Sequence, residues 1–406
     1  MTLCALTLNA GSSSIKFSLY CFGEDEPELE LFGQVERIGE HPELEATQAD
    51  GTALCSGPVH VRSADHAGAL AAILECVEQA AGDAIIAVVG HRIVHGGPDF
   101  SAPVLLDDRT VEALATFSPF APLHQPHNLA GVAAARSAFP QALQVGCFDT
   151  AFHRNHPFVN DIFAIPRKYY DKGIRRYGFH GLSYEYISHK LAEDDPGLHS
   201  GNVVVAHLGN GASMCAMRGG SSVGSTMGLS ALDGLPMGTR CGQVDPGVLL
   251  YLMQTEGLDA DGVADVLYHR SGLLGLSGIS NDMRTLEASP APAARDAIDY
   301  FVFRVRWELG ALSAVLGGLD GVVFTGGIGE HSRTVRSRVC EGMEWLGIAL
   351  DREANAANGP LISSVKGSVK VLVIPTDEEK VIARAAARLY AGAVPIDGAE
   401  ASALAP

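Results

Sequence analysis

The chain has 406 residues, and 29 lysines and arginines against 47 aspartates and glutamates leave a formal charge of −18. That balance argues against nonspecific nucleic acid binding and against an anionic membrane surface, but not against a small anionic ligand held where cations gather. At about 150 residues per domain, the length predicts two or three domains with sizeable cores. Eight cysteines without a CxxC pair read as buried or incidental thiols of a reducing compartment. The apolar start of the chain lacks a basic segment, and no run of about 18 uncharged apolar residues occurs. The expectation is a soluble cytoplasmic protein with neither signal peptide nor membrane span.

Short apolar runs predict strands over 3–8, 15–20, 28–35, 59–62, 85–89, 143–148, 203–207, 213–217, 322–325 and 369–374. Helical periodicity predicts helices over 67–81, 108–117, 126–138, 184–191, 246–256, 261–268, 292–316 and 334–346. Glu24-Asp25-Glu26-Pro27 reads as a solvated hairpin turn, and 396–406 as a loose tail. The mixture is α/β, with a hairpin opening each half of the chain. Leu6-Thr7-Leu8-Asn9-Ala10-Gly11-Ser12-Ser13-Ser14 is echoed by Val204-Val205-Ala206-His207-Leu208-Gly209-Asn210-Gly211-Ala212-Ser213, with the glycines 198 residues apart. The pattern suggests a duplicated domain; two unrelated β-turns rich in Gly and Ser remain the alternative.

Several phosphate-binding plans are absent. No Gly-Lys dipeptide occurs, which removes the GxxxxGK[ST] loop, and Gly327-Ile328-Gly329 and Gly209-Asn210-Gly211 lack the third glycine of GxGxxG. Gly220-Ser221-Ser222-Val223-Gly224 matches the GxSxG elbow of hydrolases, yet it reads as part of a loop without the required strand before and helix after. His91 and His95 have the i,i+4 spacing of a zinc pair but lack the glutamate of HExxH and sit among glycines.

The positive signals are local. Asn9 through Lys16 offers small residues, hydroxyls and one lysine, the only one before Lys168. Arg92 follows an apolar run and precedes Gly96-Gly97, a setting suited to a bidentate clamp on carboxylate or phosphate. Asp149 ends another apolar run, where α/β folds place metal-binding or orienting carboxylates; a turn cap is the plainer alternative. His180 lies between glycine-flanked aromatics and could donate to developing negative charge, or be a core histidine. Arg240 closes a long glycine-punctuated stretch from Gly224, irregular enough to suggest function. Thr325 through His331 follows a strand and precedes a helix, a place to seat a nucleotide against backbone. Asp377-Glu378-Glu379 opens a helix, as a cap or a magnesium contact.

Together, the segments 9–16, 91–97, 148–153, 176–181, 207–211, 225–246, 278–284, 325–332 and 374–379 resemble the acetate kinase family, in that family's order and over nearly the whole chain. The resemblance implies the acetate and sugar kinase, heat-shock chaperone and actin superfamily fold: duplicated ribonuclease-H-like (actin-like ATPase) α/β domains with an interdomain active-site cleft. It places one domain at 1–150 plus about 382–406 and the nucleotide-binding one at 151–381. The implied activity is reversible, Mg²⁺-dependent transfer of the ATP γ-phosphoryl group to acetate, with Mn²⁺ an alternative ion.

By the same resemblance Asp149 is the acid/base or orienting carboxylate, Arg92 holds the acyl substrate, and His180 and Arg240 stabilise the transition state. Val94, Leu123, Phe179 and Ala231 line the acyl pocket. Lys16, Ser12, Ser14, His207, Leu208, Gly209, Asn210, Gly211, Asp282, Met283, Arg284, Gly327, Ile328, Gly329, Glu330 and His331 are nucleotide contacts or their neighbours, with His124 a supporting polar group. Asn9 and Glu378 attend the metal. A homodimer is implied, with no nucleic acid or membrane partner. Four positions depart from the family's pattern: Ala231 stands for the usual proline, Tyr184 for a histidine, and Cys241 and Gln243 for the more usual Ser and Asp. The first makes a propionate kinase the leading alternative; an actin-like ATPase without acyl transfer is the more distant one.

Overall fold

The computed structural model describes the chain except residues 1, 12, 13, 24, 25, 59–63, 83, 123 and 394–406. The described chain forms two compact units, one of residues from 1–151 and from 377 onward, the other Phe152–Thr376. Ser12, Leu123, the run 59–62, residues 24 and 25 of the turn at 24–27 and the tail 396–406 lie outside the described residues.

The first unit is built on an eight-stranded sheet ordered β5-β4-β3-β2-β1-β6-β8-β7. Its strands are β1 (Leu3–Ala10), β2 (Ile15–Phe22), β3 (Pro27–Glu36), β4 (Glu43–Gln48), β5 (Ala53–Pro58), β6 (Ile85–Ile93), β7 (Val104–Leu105) and β8 (Leu143–Phe148). β1, β2 and β3 pair antiparallel, whereas β1–β6 and β6–β8 pair parallel. Parallel pairing needs covered faces. The helices His66–Ala81 and Gln125–Ala138 and the C-terminal helix Glu378–Ala393 supply them. The C-terminal helix packs so closely on β6 that a Cβ at Gly90 would stand 2.5 Å from Ile382 Cγ2.

The second unit repeats the plan in five strands ordered β11-β10-β9-β12-β13. These are β9 (Asn202–Leu208), β10 (Ala212–Arg218), β11 (Ser221–Ser225), β12 (Gly321–Thr325) and β13 (Lys370–Val373). Again three strands pair antiparallel and two join in parallel. β3-β2-β1-β6-β8 and β11-β10-β9-β12-β13 therefore share order and direction. The echo between the two Gly/Ser hairpins is a structural repeat, not a coincidence of turn residues.

Three sequence expectations are corrected. β4 and β5 were not expected: their alternating polar faces, as in Glu43, Glu45 and Thr47, carry a weak apolar signal. The GxSxG stretch lies largely in β11, where Ser222 is buried between His153 and His156 rather than raised on an elbow. The reading of all eight cysteines as thiols fails at Cys4 and Cys21, which face each other across β1 and β2 and form a disulfide. Six other cysteines are free. Among the described residues, no helix is long and apolar enough to cross a membrane.

The Gly90 contact gives a stability test. Gly90→Ala should destabilise the protein by about 2 kcal/mol through overpacking. Combined with Ile382→Ala, the loss should fall at least about 1 kcal/mol short of the sum of the single losses, because the clashing methyl is gone. Additive urea-denaturation energies would refute the close approach.

Candidate active site

In the first unit, adjacent parallel strands bring their carboxyl ends together, the usual location of a site in an open α/β sheet. Asn9 lies near the end of β1, Arg92 near the end of β6, and Asp149 directly after β8. Arg92 donates to Asp149 through Nε at 2.9 and 3.1 Å and through Nη2 at 2.6 Å, a planar bidentate contact. Its third nitrogen, Nη1, donates to Asn9 Oδ1 at 2.9 Å. Asn9 turns its amide donor to Glu378 at 3.2 Å and Glu379 at 3.1 Å, and Glu378 lies 3.8 Å from Arg92 Nε. Lys16, exposed on β2, pairs in register with Asn9.

Three carboxylates thus crowd one guanidinium. Burial raises the Asp149 carboxyl above its ordinary value despite the pull of Arg92, and Glu378 adds to the rise. Burial and then Glu378 raise Glu379 as well, against the pull of Lys16. Burial opposes the charge on Arg92, but Asp149, Glu378 and Glu379 hold it well above its usual range. The cluster sets three carboxylates against one guanidinium, and carboxylate oxygens are the ligands that hard divalent cations take. Among the described residues no three acidic, histidine or cysteine side chains form a ready cage. A cation there would keep much of its shell for water and phosphate oxygens.

The loop after Arg92 is fixed by two amides that the sequence reading passed over. Asn128 accepts from Val94 N at 3.0 Å and donates to Ala10 O at 2.9 Å. Gln125 accepts from His95 N at 3.1 Å and donates to His95 O and Leu114 O. Both are buried; Asn128 falls within the helix expected over 126–138, and Gln125 lies just before it. Thr150 Oγ1 accepts from Gly96 N at 3.0 Å. Gly97 has φ +62°, and a Cβ there would strike the Phe117 ring at 2.1 Å. Val94 is buried behind this loop. His124 flanks the helix Gln125–Ala138 as its N-cap, and Ser14 O closes the β1–β2 turn by accepting from Gly11 N.

The second unit gathers another set. His180, at φ +58°, begins the helix Gly181–Asp194 and stacks on His207 with ring centroids 4.3 Å apart. A Cβ on Gly211 would stand 2.9 Å from Arg240 Nη2 and 3.3 Å from His180 Nε2, so a side chain there would press both groups back from the β9–β10 turn. Asn210 lies against the 236–240 loop, where Gly238 N donates to Asn210 O at 3.0 Å. Arg240 Nη1 donates to Ala231 O at 2.9 Å. Phe179 is buried.

Gly209 approaches Gly327 N, and Leu208 is buried beneath the turn at Gly326. The helix Gly326–His331 follows β12 directly, leaving Gly327 open and His331 exposed, with Ile328 and Gly329 more enclosed. Glu330 folds back, accepting from Gly326 N at 2.8 Å and Thr376 N at 3.2 Å. It braces this turn. Arg336, fully buried, donates to Gly329 O and Glu330 O at 2.8 Å and holds the same segment from behind.

Asp282 and Arg284 stand apart from these contacts. Asp282 caps the helix Met283–Ala288 and pairs with Arg284 at 2.6 Å, while Arg284 is 89% exposed and Met283 is a core residue.

The acetokinase family model matches residues 4–384. The chain belongs to the acetokinase family. It is 56% identical over 392 residues to an acetate kinase of Methylocella silvestris, covering 95% of this chain and 97% of that one. An acetate kinase of Nitrobacter hamburgensis is 49% identical, covering 93% and 94%. Among solved structures, Porphyromonas gingivalis acetate kinase superposes with a TM-score of 0.83 at 37% identity, covering 94% of this chain and 98% of that chain. A propionate kinase from Francisella tularensis superposes with a TM-score of 0.86 at 33% identity and the same coverage. Membership carries the duplicated actin-like fold and implies ATP or ADP as cosubstrate with a divalent metal.

The acidic cluster gives a sign that can be checked. A carboxyl whose pKa is higher folded than unfolded favours folding at low pH and opposes it once the pH passes the folded value. With divalent ions chelated, Glu379→Gln should raise the melting temperature more at pH 8 than at pH 5. An equal or larger gain at pH 5 would contradict the buried, charge-deficient cluster.

Proposed function

We propose that this protein transfers the γ-phosphoryl group of ATP to acetate, reversibly, giving acetyl phosphate and ADP. An acetate oxygen forms the new bond to phosphorus while the bond to the ADP oxygen breaks. The acceptor is already ionised at neutral pH and needs no base, so catalysis rests on alignment and charge neutralisation. The observation that carries this reading is the Arg92–Asp149 fork beside a charge-deficient carboxylate cluster. An ATPase switch has no use for a carboxylate clamp.

In this assignment Asp149 is an orienting carboxylate: it fixes the plane of Arg92, which neutralises the acyl carboxylate. Asn9 and Glu378, with Glu379 beside them, attend Mg²⁺, which when bound shields the phosphate charges. Val94, Leu123, Phe179 and Ala231 shape the acyl pocket. His180 and Arg240 donate to the equatorial oxygens of the transferring group. The turn at His207–Gly211 and the segment Gly327–His331 receive the nucleotide, assisted by Lys16, Ser12, Ser14 and 282–284. Domain limits near 150 and 376, which keep Glu378 with Asn9 and Arg92, and a cytoplasmic setting complete the assignment.

Propionate is the second acid to consider, on one observation. Ala231 replaces the family's usual proline, and the Francisella relative is named a propionate kinase. One methylene is worth about 1–3 kcal/mol of discrimination, so acetate should still react.

Hydroxylamine trapping of acyl phosphate with MgATP and acetate, propionate or butyrate tests the reaction and ranks the acids. Hydroxamate should form with acetate, and Arg240→Ala should lower kcat by about tenfold or more with little change in ATP affinity. Phosphate release without hydroxamate would favour an ATPase instead, and normal turnover in the variant would remove Arg240 from the mechanism.

The homodimer is supported by Tyr300, Phe303 and Trp307, which lie along one face of the helix Pro292–Leu316 and are 38, 53 and 59% exposed. Light scattering should give twice the chain mass for the wild type and a shift toward one chain mass for Trp307→Glu. A monomeric wild type would dismiss the assembly.

A further inference from the structure

His180 is held by a pair of buried hydroxyls that the mechanism above does not use. Tyr184 follows His180 by one helical turn, its N–H donating to His180 O at 3.1 Å. Its ring therefore returns toward the histidine. The Tyr184 hydroxyl lies 2.5 Å from Ser213 Oγ, and Ser213 Oγ lies 2.8 Å from His180 Nδ1. Both Tyr184 and Ser213 are fully buried. Ser213 is fixed on β10, in register with His207 on β9, the ring that stacks on His180.

The hydrogens in this chain can be counted. Two hydroxyl hydrogens need acceptors, because a buried O–H left unpaired is costly. Among the described residues, Tyr184 has Ser213 as its hydrogen-bond partner, and Ser213 has Tyr184 and His180. The one arrangement that uses both hydrogens has Tyr184 donating to Ser213 and Ser213 donating to Nδ1. Nδ1 must then be an acceptor, which places the ring hydrogen on Nε2. Burial holds the Tyr184 phenol well above its usual range, so it remains a donor at all working pH values. A hydrogen on Nδ1 would orphan one of the two hydroxyls.

We propose that Tyr184 and Ser213 are positioning residues that lock His180 in the Nε2–H tautomer, giving the phosphoryl-contacting nitrogen its hydrogen. Nε2 is the atom beside Arg240 at the Gly211 turn, 3.3 Å from the place of a Gly211 Cβ. The lock opposes the imidazolium as well, since a charged ring would present Nδ1–H to Ser213. His180 therefore acts as a neutral donor and Arg240 carries the charge. Among the described residues, the groups facing this ring include His207 in the stack, Arg240 across Gly211 and Tyr184 through Ser213; Cys215 and His153 lie nearer the phenol. Tyr184 occupies the position where the family's pattern has histidine, so the relay is a property of this chain.

The proposal rests on the assignment of His180 to the phosphoryl group, and the test separates the two. Nitrogen-15 NMR of the histidine rings reads the tautomer without turnover. The wild type should show His180 Nδ1 as unprotonated and Nε2 as protonated at pH 7.5, and Tyr184→Phe should show a mixture. In Tyr184→Phe, kcat should fall about fivefold, the worth of one neutral hydrogen bond, with KM for acetate and ATP within about twofold. The acid limb of its kcat profile should move to higher pH. Ser213→Ala should lose more, and Ser213→Thr, which keeps the hydroxyl, should recover most of the activity. Protonated Nδ1 in the wild type, or an unchanged tautomer and pH profile in Tyr184→Phe, would overturn the relay. A correct tautomer with normal turnover in His180→Ala would instead overturn the catalytic role of His180.

Discussion

The bidentate contact between Arg92 and Asp149 is the constraint on which the first unit's site depends. A guanidinium with one rotamer left free would be a mobile point charge; pinned by three bonds to Asp149 and one to Asn9, it is a fixed planar donor. Holding it there requires β1, β6 and β8 to be neighbours in parallel, because each contributes one of the three side chains at or just beyond its carboxyl end. The covering helix Glu378–Ala393 is required too, since its first residues complete the cluster. Burial is what makes the contact specific, and burial also leaves the carboxylates underneutralised. Rigidity and a demand for an added cation come from one arrangement.

The second unit uses a different device for the same end. Its groups are an imidazole and a guanidinium gathered at a glycine turn. Here precision comes from hydrogen bonds whose direction is forced, Tyr184 to Ser213 to His180, and from Ser183 on His207 at 2.8 Å. The segment 326–331 is held from its own backbone side by Glu330 and from behind by Arg336, which keeps both groups occupied internally.

Much of this was legible in the sequence where apolar periodicity was strong. The long helix Pro292–Leu316 was anticipated with its observed bounds, and β8, with Asp149 just past its end, was placed correctly because Leu143–Phe148 is buried nearly throughout. Half-exposed strands were lost, as at β4, and β11 read as loop because its serines and glycines imitate turns. The site residues were found through their setting at strand ends and glycine turns, and Arg92, Asp149, Asn9 and Glu378 do come together. Sequence could not show that Glu330 and Arg284 satisfy local partners, since a charged residue near a loop looks alike whether it faces ligand or backbone. Gln125, Asn128 and Ser213 escaped for the opposite reason: they are polar residues acting inside the core, where a pattern of apolar positions records them only as gaps.

Asn9 and His207 are 198 residues apart, the same offset as the glycines of the two hairpins, so they are one position of an ancestral strand occupied twice. Their inward neighbours Leu6 and Leu8, and correspondingly Val204 and Ala206, are buried in their own sheets. Foldability was written into those alternating apolar sites, whereas the outer position at the strand's end was free of that duty. After doubling, one copy became an amide among carboxylates and the other an imidazole in a ring stack, without any change in strand order. A duplicated sheet of this kind behaves as two mountings of one frame, on which unlike chemistry can evolve at equivalent addresses while the frame itself stays under a single set of packing rules.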